Sequence, residues 1–142
     1  MLLNVGPMPD GRIAPEQEAV VRELGAWLKT NGKSIYGTRG GPWKPARFGV
    51  STCMGSTVYI HVLNRPGDVM ELPGIPARIK RVELLKGGKV IFEQTEDRVS
   101  INLPANDEKT QDLILVLELD RPAIGIEPVT AQMPSESMAP EK

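Results

Sequence analysis

Between residues 15 and 31 the apolar positions recur at helical spacing. At 100° per residue Val20, Val21, Leu24, Trp27 and Leu28 share one stripe, while Glu18, Arg22 and Lys29 fall on the opposite face. Pro15 suits a first helical position, where its missing N–H leaves no bond unmade. Glu16 and Glu18 near the start and Lys29 and Lys33 near the end match the helix dipole. Glu18 and Arg22 stand at the favourable i,i+4 spacing, and Asn31-Gly32 is a stop signal. An amphipathic helix over 15–31 is predicted.

From residue 57 the period changes to two. Thr57–Leu63 sets Val58, Ile60 and Val62 against Tyr59, His61 and Leu63. Arg78–Lys86, Lys89–Gln94, Arg98–Leu103 and Asp112–Leu119 read as further strands, the last apolar on both faces and therefore central. Gly87-Gly88 suggests a two-residue hairpin between the second and third of these. Glu71–Ile75 reads as a short edge strand, demoted by Pro73 and Pro76. Short strands punctuated by turn signals predict an antiparallel β-sandwich over 57–121.

The remaining stretches are less regular. Residues 1–13 read as a strand end plus an Asp10-Gly11 turn. Residues 39–56 hold Gly and Pro without a period and read as an irregular connector anchored by Trp43 and Phe48. Residues 122–142 are rich in Pro, Ser, Glu and Met, which predicts a mobile tail, at least from Gln132.

Composition narrows the picture further. Seventeen Lys and Arg stand against 18 Asp and Glu, for a formal net charge of -1. No basic block accompanies this balance, so nucleic acid is not an expected partner. The longest apolar run, Leu113–Leu117, is far short of a membrane span, and residues 1–13 lack a signal-peptide pattern. Cys53 is the single cysteine and His61 the single histidine. One cysteine makes no internal disulfide and no cysteine-based zinc cluster, and a small buried thiol is expected. Among carboxylates, Asp10 fits a turn, Glu16 and Glu18 a helix start, and Glu93, Glu96 and Asp97 a solvated hairpin. No pair suggests an apolar pocket that would separate two pKa values for acid/base work.

The order of motifs is more informative than any one of them. The stretch "LLNVGPMPDGRIAPEQEAVVRELGAWLKTNGKSIYGT" (residues 2–38) carries LLN-x-GP, a DG turn, then P-x-Q, L, G-x-WL, NG and IYGT in sequence. It resembles the end of the catalytic barrel in the α-L-fucosidases of glycoside hydrolase family 29, where a C-terminal β-sandwich follows. The resemblance implies a mainly β chain: the last strand and helix of a truncated (β/α) barrel over 1–38, a connector over 39–56, then the sandwich. It also implies that the nucleophilic aspartate and the acid/base glutamate belong to barrel segments outside these residues. No catalytic residue, metal or cofactor is therefore expected here. Asn4 and Gly6 would line or brace the rim of the fucose pocket in an intact barrel, since active sites lie at the C-terminal ends of barrel strands.

The helix stripe presents a physical demand. Burying such side chains is worth about 1.5–3 kcal/mol each, so a cover is expected for Val20, Leu24, Trp27 and Leu28. The sandwich, a second copy or the missing barrel portion would supply it, and fucosylated glycans would be partners of the intact enzyme. The competing reading is a free-standing sandwich module for interaction or carbohydrate binding. Among its strand aromatics only Tyr59 and Phe92 are available to stack on sugars.

Overall fold

The computed structural model describes residues 4–105 and 112–131. Two compact units divide the chain, Met1–Tyr36 and Gly37–Lys142. In the first unit the helix α1 spans Pro15–Asn31, with Pro15 in its first turn and the Arg22 guanidinium donating to Glu18 Oε1 at 2.8 Å. Its C-terminus departs from the usual left-handed glycine. Gly32 keeps a right-handed conformation and the chain continues into a single 3-10 turn, Gly32–Ser34. Glycine is needed there for space, because a Cβ would press on the Tyr36 ring. Along the stripe Val20 and Val21 are exposed, whereas Leu24, Trp27 and Leu28 are half-buried.

The second unit is a two-sheet sandwich. Its strands are β1 (Arg39–Gly40), β2 (Gly49–Met54), β3 (Thr57–Val62), β4 (Val69–Pro73), β5 (Ile79–Leu84), β6 (Phe92–Gln94), β7 (Arg98–Asn102) and β8 (Leu113–Leu119). One sheet runs β1-β2-β3-β8-β5 and the other β4-β7-β6, with every pairing antiparallel. As expected for a strand apolar on both faces, β8 is central, and β4 lies at an edge. Direct pairs Val58↔Leu117 and Ile60↔Leu115 put these side chains on one face. With Val82, Met70, Leu72, Val99 and Ile101 they form the core.

Hydrogen bonds tie the two sheets together. Trp43 is buried, and its indole N–H donates to the Pro73 carbonyl of β4 at 2.9 Å. The backbone N–H of Trp43 donates to Ser51 Oγ at 3.2 Å, and the Ser51 hydroxyl donates back to the Trp43 carbonyl at 2.7 Å. At the other side Gln94 of β6 accepts from the Ile79 N–H at 2.8 Å and donates to the Ala77 carbonyl at 2.7 Å. A side-chain amide thus takes the place of a neighbouring strand along the edge of β5.

Several expectations need correction. Residues 39–56 are not an irregular connector throughout, for they contain β1 and β2. The Gly49–Met54 run alternates buried and half-buried, but the Gly and Pro around it mask the alternation until β3 supplies its ladder. The Gly87-Gly88 turn does form, with φ of 94° and 116° and a Leu84 N–H to Gly88 carbonyl bond of 2.9 Å. The strand after it does not pair with β5 along its length, however. After the Val90 N–H bonds the Val82 carbonyl at 3.0 Å, the chain changes sheets, and β6 pairs with β7.

The expected mobile tail is also too long at its start. Over 122–131 the chain makes a 3-10 turn, Ala123–Gly125, and buries Ala123, Ile126 and Ala131. The Val129 N–H donates to the Pro42 carbonyl and the Lys44 N–H to that of Val129, both at 2.8 Å. The tail from Gln132 onward lies outside the described residues. At the N-terminus residues 1–3 of the expected barrel strand lie outside the described residues, and Pro7↔Ile13 forms one bridge after them. A parallel barrel strand needs neighbours on both sides, and no other strand lies among the described residues of that unit.

Candidate functional site

Asn4 and Gly6, the two expected rim residues, are exposed at the start of the described chain. The Gly6 N–H donates to Gln17 Oε1 at 3.1 Å, which fastens this stretch to α1 of the same unit. A turn follows, closed by the Met8 N–H to the Arg12 carbonyl at 2.7 Å, with Gly11 at a φ of 82°. Asp10 accepts from Arg12 through backbone and side chain, and these bonds hold its carboxyl below the usual range. Asp120 is likewise held low by the Arg78 N–H, with Arg121 beside it. A general acid needs a shift in the opposite direction.

Cys53 and His61 cannot act as a nucleophile–base pair. Cys53 is paired directly with Val58, so it points into the core, where its thiol donates to the Gly40 carbonyl at 3.3 Å. Burial pushes this thiol up from its ordinary pKa. His61 sits three residues beyond Val58 on β3, and the period of two turns it to the other face. The small buried thiol expected from the sequence is what the fold contains.

A contact that sequence spacing does not reveal joins His61 to Asp112. Nδ1 of His61 lies 3.0 Å from Asp112 Oδ2, with side-chain exposures of 5% and 11%. Fifty-one residues separate the two in the chain. Only the β3–β8 ladder, which sets His61 opposite Ile114, brings them together. The pair fastens the start of β8 to β3. The two aromatics of the competing carbohydrate-binding reading lie on different sheets. Tyr59 is buried on the five-stranded sheet, and Phe92 is half-buried on the other. Among the described residues no three His, Cys, Asp or Glu side chains group as a metal site, and no helix is long and apolar enough to cross a membrane.

The sequence profile of the α-L-fucosidase family matches residues 1–33. An α-L-fucosidase from Branchiostoma floridae is 38% identical over 81 residues, 54% of this chain and 18% of that protein. One from Dictyostelium discoideum is 30% identical over 118 residues, 72% of this chain and 25% of that protein. The solved structure of α-L-fucosidase isoenzyme 1 from Paenibacillus thiaminolyticus shares the fold with a TM-score of 0.75 at 31% identity, over 84% of this chain and 30% of that one. The chain belongs with the α-L-fucosidases of glycoside hydrolase family 29, in their C-terminal portion.

For this fucosidase portion the two kinds of likeness differ in reach. The family profile ends within α1 and the turn after it, while the fold likeness extends through the sandwich. The chain spans 18% of the Branchiostoma protein's length and 25% of the Dictyostelium protein's.

Proposed function

We propose that these residues serve as the C-terminal portion of a retaining α-L-fucosidase, bracing its catalytic barrel, and that the 142-residue chain alone does not release fucose. The observation that carries this reading is the shared fold with the Paenibacillus enzyme, combined with the 30% of that enzyme it spans. Retaining hydrolysis needs two carboxyls about 5–5.5 Å apart, one as nucleophile and one as acid/base. By the family resemblance both come from barrel segments outside these residues. Asp10 and Asp120 do not supply the acid/base, since hydrogen bonds hold each carboxyl low and an arginine stands beside it.

In the intact enzyme Asn4 and Gly6 brace the rim of the fucose pocket, and the stripe of Val20, Leu24, Trp27 and Leu28 faces the barrel. Fucosylated glycans are the substrates there. Assay of the purified chain on an aryl α-L-fucoside tests the reading. No release above a protein-free blank is expected, and release that survives removal of contaminating hydrolases would overturn it.

A further inference from the structure

We propose that the open seam of the sandwich, between β5 and β6, binds a sugar ring bearing one anionic group. Here the two sheets part and leave a groove of about 740 Å³, of a size that holds a small ligand. Phe92 lines it and offers an apolar ring surface, and half of its side chain is packed on the core. Arg78, Lys80 and Arg121 line the same groove, as do Asp120 and Glu96. Arg121 is engaged by Asp120 at 3.3 Å. Neither the Arg78 guanidinium nor the Lys80 ammonium has an ion-pair partner among the described residues, and both residues are exposed.

The edge of β5 is poorly suited to an added peptide strand. Strand addition needs a row of open backbone groups. Along β5 the Ile79 N–H is bonded to Gln94, the Val82 carbonyl accepts from Val90, and the Leu84 N–H donates to Gly88. Recognition in this groove therefore runs through side chains. A ring face laid on Phe92 with one negative group between Arg78 and Lys80 satisfies the unpaired cations. A polyphosphate would meet the two carboxylates and be repelled, whereas sugar hydroxyls can donate to them. The choice of a sugar among singly charged ring ligands rests on the fucosidase reading.

Titration of the 15N-labelled chain with glucose 6-sulfate, glucuronate, glucose and inorganic sulfate tests the proposal. Saturable shifts of the Lys80, Phe92 and Gln94 amides are expected with either or both of the two anionic sugars, and their relative affinity identifies the anionic group. Glucose, which lacks the charge-assisted contact, and inorganic sulfate, which lacks the ring on Phe92, are each expected to bind at least about tenfold more weakly. The Arg78→Gln/Lys80→Gln double variant lies at exposed positions and keeps the wild-type thermal midpoint. It is expected to weaken the anionic sugars by about tenfold and leave glucose unchanged. Absence of saturable shifts, equal binding of glucose, equal binding of sulfate alone, or indifference to the double variant would each overturn the proposal. Because the readout is binding without fucose or hydrolysis, such a failure leaves the fucosidase reading to its own assay.

Discussion

Trp43 shows how one side chain can join two layers. It is buried, its backbone is held by Ser51, and its indole reaches the carbonyl of Pro73 in the other sheet. Trp43→Ala removes the ring and the bond together, and a loss of about 3–5 kcal/mol is expected in urea unfolding. Trp43→Phe keeps most of the volume but leaves the Pro73 carbonyl unpaired, so about 1–3 kcal/mol is expected. Cys53 supplies a test in pH. Burial raises its pKa in the folded state, so the unfolded thiol ionises first as pH rises through its ordinary value of 9.0. The unfolded state then holds fewer protons, and stability falls. Below that pH the thiol is neutral in both states and contributes no slope. The difference in urea midpoint between wild type and Cys53→Ala should therefore shift against wild type between about pH 8 and about pH 10. An unchanged difference would contradict a buried, neutral thiol.

At the scale of elements the seam is held by Gln94. Its amide satisfies both the Ile79 N–H and the Ala77 carbonyl, groups that a bare sheet edge would leave open. Gln94→Leu preserves bulk and strands both partners. Hydrogen exchange at Ile79 should accelerate, with a stability loss of about 1–3 kcal/mol. Unchanged exchange would show that Gln94 does not protect the edge. The helix was legible to the residue, because Pro15 and Asn31-Gly32 mark its ends and the stripe repeats through five residues. Strand β2 was not. Six residues of alternation are too few to stand out between glycines and prolines, and the ladder to β3 decides the matter. The Gly87-Gly88 turn was read correctly as a turn, but a turn specifies only its neighbours. Which sheet receives β6 depends on Phe92 packing against the core beside β7.

For the whole molecule, the stripe on α1 is the surface that the proposed function assigns to the barrel. Val20 is 61% exposed and Val21 40%. Such positions gain about 1.5–3 kcal/mol each on burial, and a second copy is one cover open to the isolated chain. Gel filtration is expected to show concentration-dependent association of the wild-type chain and a monomer for Leu24→Asp. A stable monomer in both forms would defeat that role for the stripe.

Sequence alone determined the helix and its boundaries, the alternation of β3, the two-sided apolar run of β8 that makes it an interior strand, and the family resemblance. Each of these is written in local spacing, which survives without knowledge of any distant partner. Tertiary structure alone decided that residues 39–56 enter a sheet, that β5 and β6 part company after their turn, and that 122–131 return to Trp43. It also decided the meeting of His61 with Asp112 and the placing of Arg78, Lys80 and Phe92 along one groove. Those arrangements join segments far apart in the chain, and only the pairing of strands and the closing of one core fix which of them become neighbours.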